Sequence, residues 1–185
     1  KCRGVHKAKD RMKTFLIDKE NTKYCLKIDI KKYYPSVDNA VLKTLLRRKI
    51  KCKDTLLLVD EIIDSTKGLP IGNYTSQTFG NYYLSYFDHW IKETKYIKYY
   101  IRYADDMVFM SNSKEELHEL KNEIELYLAE NLNLKLKENW QIFPTNIRGI
   151  DFLGFRFFHD YTMLRGSIKK AYMKIIKSIH KKGVK

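Results

Sequence analysis

The chain has 185 residues, enough for one domain with a sizeable core, or for one domain and part of another. Apolar residues make up 44%, which excludes a disordered chain, and 36 Lys and Arg against 22 Asp and Glu leave a net charge of +14. That excess points to a polyanionic partner, nucleic acid ahead of an anionic membrane surface.

No run of about 18 apolar residues occurs, so no transmembrane span and no membrane partner are expected. The opening KCRGVHKAKDR lacks the apolar region of a signal peptide. Its first residue is Lys1, not Met, which reads as a piece of a longer protein. Cys2, Cys25 and Cys52 are odd in number and lack CxxC spacing. This argues against a disulfide framework or a zinc knuckle and suits a reducing, cytoplasmic location.

Residues 24–30, YCLKIDI, alternate and predict a strand, with Tyr24, Leu26, Ile28 and Ile30 on one side and Cys25, Lys27 and Asp29 on the other. Val41, Leu42, Leu45 and Leu46 form a helical stripe, with Asp38 or Asn39 as N-cap. Residues 53–66 predict a second helix, GLPIG (68–72) a loop, and 74–93 a continuous helix carrying Phe79, Tyr83, Phe87, Trp90 and Ile91. Residues 96–111 read strand–turn–strand around Ala104–Asp106. A capping box at Ser113 and Glu116 opens a helix over 113–130. LNLKLK and QIF read as short strands, GIDFLGFRFFHDYTMLRG as a hairpin, and Ser167–Lys182 as a Lys-rich helix. The order β-α-α-α-β-β-α-β-β-β-α predicts an α+β fold with a mostly antiparallel sheet.

Two features carry chemistry. Asp29 is a charge inside a strand, where burial without a partner costs several kcal/mol. Alone it reads as a solvent-facing carboxylate, and Asp105–Asp106 alone read as a polar turn. Together, a strand Asp and a hairpin-tip Asp–Asp can converge on one sheet face. Such carboxylates repel unless cations sit among them, and two Mg²⁺ ions roughly 3.5–4 Å apart are the usual arrangement for nucleotidyl transfer.

At these residues the chain resembles the reverse transcriptase palm. LKIDIKKYYPSVD (26–38), GLPIGNYTSQTFGNYYL (68–84) and YADD (103–106) resemble that family's first three motifs, in order; LNLKLKENWQIFP and IDFLGFRFF resemble the next two. The resemblance implies an antiparallel palm sheet backed by helices over 24–165, the end of a fingers region in 1–23, and the start of a thumb or connection helix in 166–185. It implies an RNA-directed DNA polymerase acting on an RNA template, a DNA primer and dNTPs.

Carried onto this sequence, Asp29, Asp105 and Asp106, with the carbonyl of Ile30, would hold two Mg²⁺ ions, for which Mn²⁺ can substitute. Tyr34 stands at the steric-gate position that selects dNTP over rNTP. Ile71, Gly72 and Gln77 would line the nucleotide. Tyr103, the Leu153–Gly154 primer-grip hairpin, and Lys169 and Lys170 would contact nucleic acid. For each the plainer alternatives are core aromatics, a core hairpin and a solvated basic face. Most relatives carry Gln where Ile71 stands; the Ile-Gly-x-x-x-Ser-Gln form resembles the reverse transcriptases of diversity-generating retroelements. That subtype implies error-prone copying and a small basic accessory protein. Group II intron and retron enzymes are the next resemblance. Trp140 stands where many relatives carry a Lys, and Lys137 is the nearest cation. Rival readings are a palm that binds nucleic acid without catalysis, in particular because the fingers and thumb would lie outside this chain, and a palm-like nucleotide cyclase, which would need neither Tyr34 nor +14.

Overall fold

The computed structural model describes residues 4–181. Along the chain come α1 (Val5–Leu16), β1 (Tyr24–Asp29), the short α2 (Tyr33–Ser36), α3 (Asn39–Arg47) and α4 (Lys53–Asp64). Then follow α5 (Tyr74–Tyr83), α6 (Ser85–His89), a π turn (Trp90–Thr94), β2 (Tyr100–Tyr103), β3 (Asp106–Ser111) and α7 (Lys114–Leu132). The chain continues through β4 (Gln141–Pro144), α8 (Thr145–Arg148), β5 (Ile150–Phe152), β6 (Phe155–Phe157), β7 (Thr162–Leu164) and α9 (Gly166–Lys181). The fold is α+β. A four-stranded antiparallel sheet in the order β2-β3-β1-β4 is joined by a three-stranded antiparallel sheet, β5-β6-β7.

Both faces of the larger sheet are covered. Leu26, Ile28, Met107 and Phe109 point into a core shared with α3, α5, α6 and α7. Cys25, Val108 and Met110 point into a second core, closed by Met12 and Leu16 of α1 and by Ile150, Phe152 and Phe157 of the smaller sheet. Strands apolar on both sides therefore replace the in–out alternation of a half-exposed sheet. Asp29 and Asp106 lie at the end of the second face, where this apolar cover stops.

Local signals set the helix starts. Asp38 caps α3, accepting from the amides of Ala40 (2.9 Å) and Val41 (3.1 Å). Ser113 accepts from the Glu116 amide at 3.2 Å. The expected capping box closes differently: Glu116 accepts from the Ser111 hydroxyl, and the Ser113 amide donates to Ser111 Oγ.

Four expectations are corrected. Helix 74–93 breaks at Leu84 and ends in the π turn, whose extra residue lets Trp90 stack on Tyr127 at 4.4 Å while Ile91 stays in the core. LNLKLK is not a strand: Leu132 ends α7, Asn133 takes a left-handed cap (φ 51°), and only Leu136 bridges back, to Ile30. The predicted hairpin at 149–166 is a three-stranded meander, because the chain turns again at Phe158–Tyr161. The amphipathic α1 is an element the expected order omits. Lys182, placed in the last helix by the sequence reading, lies outside the described residues, as does Cys2. No helix among the described residues is long and apolar enough to cross a membrane.

Candidate active site

Two strands bring the carboxylates together. Asp29 ends β1 and is the register partner of Asp106, which opens β3. Tyr103 pairs with Asp106 from β2, so Ala104 and Asp105 form a two-residue turn between them. Ala104 has φ 53°, a left-handed conformation that costs an alanine about 1–2 kcal/mol. All three sequence-predicted carboxylates thus sit at one sheet end.

Their oxygens are only partly satisfied. Lys137 Nζ lies 2.8 Å from Asp29 Oδ2, and Lys27 Nζ lies 3.3 Å from Asp106 Oδ2. The other oxygens, Asp29 Oδ1 and Asp106 Oδ1, are buried and have no hydrogen-bond partner among the described residues. Burial raises the pKa of Asp105, and the neighbouring Asp29 adds to it. Burial likewise raises that of Asp106, with Lys27 opposing. Lys137 is pushed up by its hydrogen bond to Asp29. Among the described residues no three or more His, Cys, Asp and Glu side chains enclose an ion as they stand. The donor set nevertheless fits hard divalent cations: carboxylate oxygens in low-dielectric surroundings, two of them unpartnered.

The aromatic step Tyr33–Tyr34 packs against Gly80 and the glycine loop. Burial raises the Tyr34 hydroxyl pKa, with the Asp105 charge next in effect and Tyr103 after it. The Tyr33 hydroxyl donates to the Gly80 carbonyl, and Gly80 leaves room for both rings: a Cβ there would lie 3.3 Å from Tyr33 Cε1 and 3.6 Å from Tyr34 Cε1. The Leu69 amide donates to the Tyr34 carbonyl at 2.8 Å, and Ser76 Oγ to that of Pro70 at 2.6 Å. The first bond docks loop 68–72 on α2 and the second ties it to α5. Ile71, 86% exposed, and Gly72 lie open on the loop, and Gln77 is exposed on α5.

The remaining predicted residues lie apart. Leu153 and Gly154, both at positive φ, form the tight turn of the β5–β6 hairpin. A Cβ on Gly154 would come within 2.7 Å of Ile168, so this turn abuts the first turn of α9. Lys169 and Lys170 are exposed on that helix. Trp140 lies against α7. It packs edge-on to His118 under the Lys121 ammonium, which leaves Lys137 as the cation beside Asp29.

Sequence reasoning missed Lys27 and Arg102. Lys27 Nζ also donates to the Asp151 carbonyl at 2.6 Å, hooking the smaller sheet to the carboxylate end of the larger one. Its one signal is its place on the Asp29 side of β1. Arg102 spans β2, α6 and the Ala104 carbonyl, a link between segments that no local pattern reveals.

The chain belongs to the reverse transcriptase (RNA-dependent DNA polymerase) family, whose model matches residues 3–157. Members of that family are RNA-dependent DNA polymerases, which generally use divalent metal ions. Among solved structures it is similar to apo telomerase from Candida tropicalis (TM-score 0.65, 16% identity, covering 85% of this chain and 36% of that one). It is also similar to telomerase from Candida albicans in complex with the TWJ fragment of telomeric RNA (TM-score 0.57, 14% identity, 82% of this chain and 32% of that one). A third is the Candida tropicalis telomerase with the same kind of RNA fragment (TM-score 0.60, 16% identity, 85% and 32%). The chain thus spans about a third of the length of these telomerase chains. At such identities the likeness shows the palm fold. No curated protein matches the sequence.

Proposed function

We propose that the chain is the catalytic palm of an enzyme that adds dNTPs to a DNA primer along an RNA template. The observation that carries this reading is the register pairing of Asp29 with Asp106, Asp105 beside them, and an unpartnered buried oxygen on each of the paired carboxylates. Asp29, Asp105, Asp106 and the Ile30 carbonyl would hold two Mg²⁺ ions. When bound, such ions neutralise the triphosphate and lower the pKa of the primer 3′-hydroxyl.

The chain's own residues do the rest. Lys137 supplies a positive charge beside Asp29, where an anionic phosphate chain would lie. Tyr34 presents a ring next to Asp105 that would collide with a ribose 2′-hydroxyl, selecting dNTP. Tyr103 and the Leu153–Gly154 turn would bear on the primer end, and Lys169 and Lys170 on backbone phosphates without reading sequence. The RNA held by two of the telomerases supports an RNA template here.

The test is extension of a DNA primer on poly(rA) with dTTP and Mg²⁺ by the full-length protein. Asp105→Asn should abolish it; extension at the parent's rate would exclude the site. The Ile71 loop supports error-prone copying of the retroelement type, because Ile removes an amide that could hydrogen-bond the incoming nucleotide. Ile71→Gln should then lower misincorporation at template adenines, and an unchanged error spectrum would reject that subtype.

A further inference from the structure

The turn that presents Asp105 is strained, and one side chain braces it. Arg102 is 9% exposed. Its Nε donates to Asp88 Oδ1 at 2.8 Å, its Nη2 pairs with Asp88 Oδ2, and its Nη1 donates to the Ala104 carbonyl at 2.8 Å and, more weakly, to Asn81 Oδ1 at 3.4 Å. Asp88 is fixed from the other side by the Tyr100 hydroxyl at 2.7 Å. The guanidinium therefore ties three elements together: α5 through Asn81, α6 through Asp88, and the hairpin tip through Ala104. Its target is the residue held at φ 53°, immediately before Asp105. Left-handed alanine persists only where its surroundings enforce it, and such strain gathers at working sites.

We propose that Arg102, anchored on Asp88, is a positioning residue that holds the Ala104–Asp105 turn in its left-handed form and so sets Asp105 beside Asp29. The inference rests on the reading of the three carboxylates as the metal-holding site. A two-residue hairpin tip is normally eased by Gly or Asn at a positive φ, and this chain has Ala there. The fork of Arg grips a carboxylate and still has an N–H to spare; an ammonium is a point charge and cannot span both in a fixed plane.

The discriminating variant is Arg102→Lys in the full-length protein. It keeps a positive charge against Asp88 and gives up the fixed reach to the Ala104 carbonyl. A displaced reacting group costs about tenfold to a hundredfold in rate, so kcat for poly(rA)-templated dTTP incorporation should fall by that factor. The half-saturating Mg²⁺ concentration should rise severalfold, and KM for the template–primer should hardly change. Ala104→Gly on the Arg102→Lys background should recover much of the lost kcat, because glycine takes the left-handed turn without strain.

A kcat and Mg²⁺ dependence unchanged in Arg102→Lys would overturn the proposal. So would a loss that vanishes when rates are divided by the folded fraction, or a second change at Ala104 that restores nothing. Asp105→Asn runs beside these variants. If it stays active, the metal-site reading fails; if it is inactive while Arg102→Lys works as the parent does, only the positioning role fails.

Discussion

Gly68 and Gly72 flank the exposed Ile71 loop, and both have positive φ, +74° and +102°. Their surroundings differ. A Cβ on Gly68 would lie 2.6 Å from the Pro35 carbonyl oxygen and 2.8 Å from that of Tyr34, whereas at Gly72 nothing lies within 4 Å. The atoms crowding Gly68 are backbone and cannot swing aside. Each Gly→Ala change bears the left-handed penalty, about 1–2 kcal/mol. Only Gly68→Ala adds an overpacking cost, about 2 kcal/mol. For a protein of this size that difference puts its thermal midpoint about 4–8 °C below that of Gly72→Ala. Circular-dichroism melts of the two variants and the parent measure it. Equal melting of the two would refute the claim that loop 68–72 is seated on α2, and with it the account of how Tyr34 is held at the carboxylates.

The carboxylate end should be a site of stored instability. Burial raises the Asp106 pKa, so its charged form is disfavoured in the fold: the cost is absent below the unfolded carboxylate range and is complete once pH passes the folded value. Asp106→Asn should therefore melt a few degrees higher at pH 7 while losing activity; a lower melting temperature would contradict this. Lys92 is pushed down from 10.5 to about 8, chiefly by burial. Between those values the unfolded chain binds the extra proton, so the Lys92 contribution to stability should rise from pH 8 toward pH 10, opposed from about pH 9 by the buried Cys25 thiol, which burial pushes up and which therefore ionises only in the unfolded chain. Above that, unfolded tyrosines ionise while buried ones such as Tyr83, raised to about 12, do not, and stability turns down. Lys92→Met should flatten the rise in urea titrations at pH 8, 9 and 10; an undiminished slope would exclude Lys92 as its source.

The strand of Asp29, the hairpin of Asp105–Asp106 and the caps of α3 and α7 were legible in the sequence, because each rests on short-range alternation or a nearby hydrogen bond. The convergence of the three carboxylates was legible only from their order along the chain and the resemblance it supported. What escaped was set by tertiary packing. The break at Leu84 and the π turn after it follow from fitting Trp90 against Tyr127, and the failure of LNLKLK to form a strand follows from the cap at Asn133. Lys27 and Arg102 read as ordinary strand cations; their partners, Asp151, Asp88 and the Ala104 carbonyl, come from other segments or from the turn geometry. Trp140 was read against the family pattern as a missing cation. Lys137, already the nearest cation in the sequence, lies 2.8 Å from Asp29 in the fold.

If Asp29, Asp105 and Asp106 hold divalent cations for templated synthesis, metal uptake and synthesis must depend on the same carboxylates. Titration of Mn²⁺ into the full-length protein with primer, RNA template and dTTP, followed by the loss of the free Mn²⁺ electron-spin-resonance signal, tests it most directly. The parent should take up Mn²⁺, with uptake and dTMP incorporation lost together in Asp29→Asn and Asp105→Asn. Mn²⁺ uptake and incorporation that persist unchanged in both variants would contradict it.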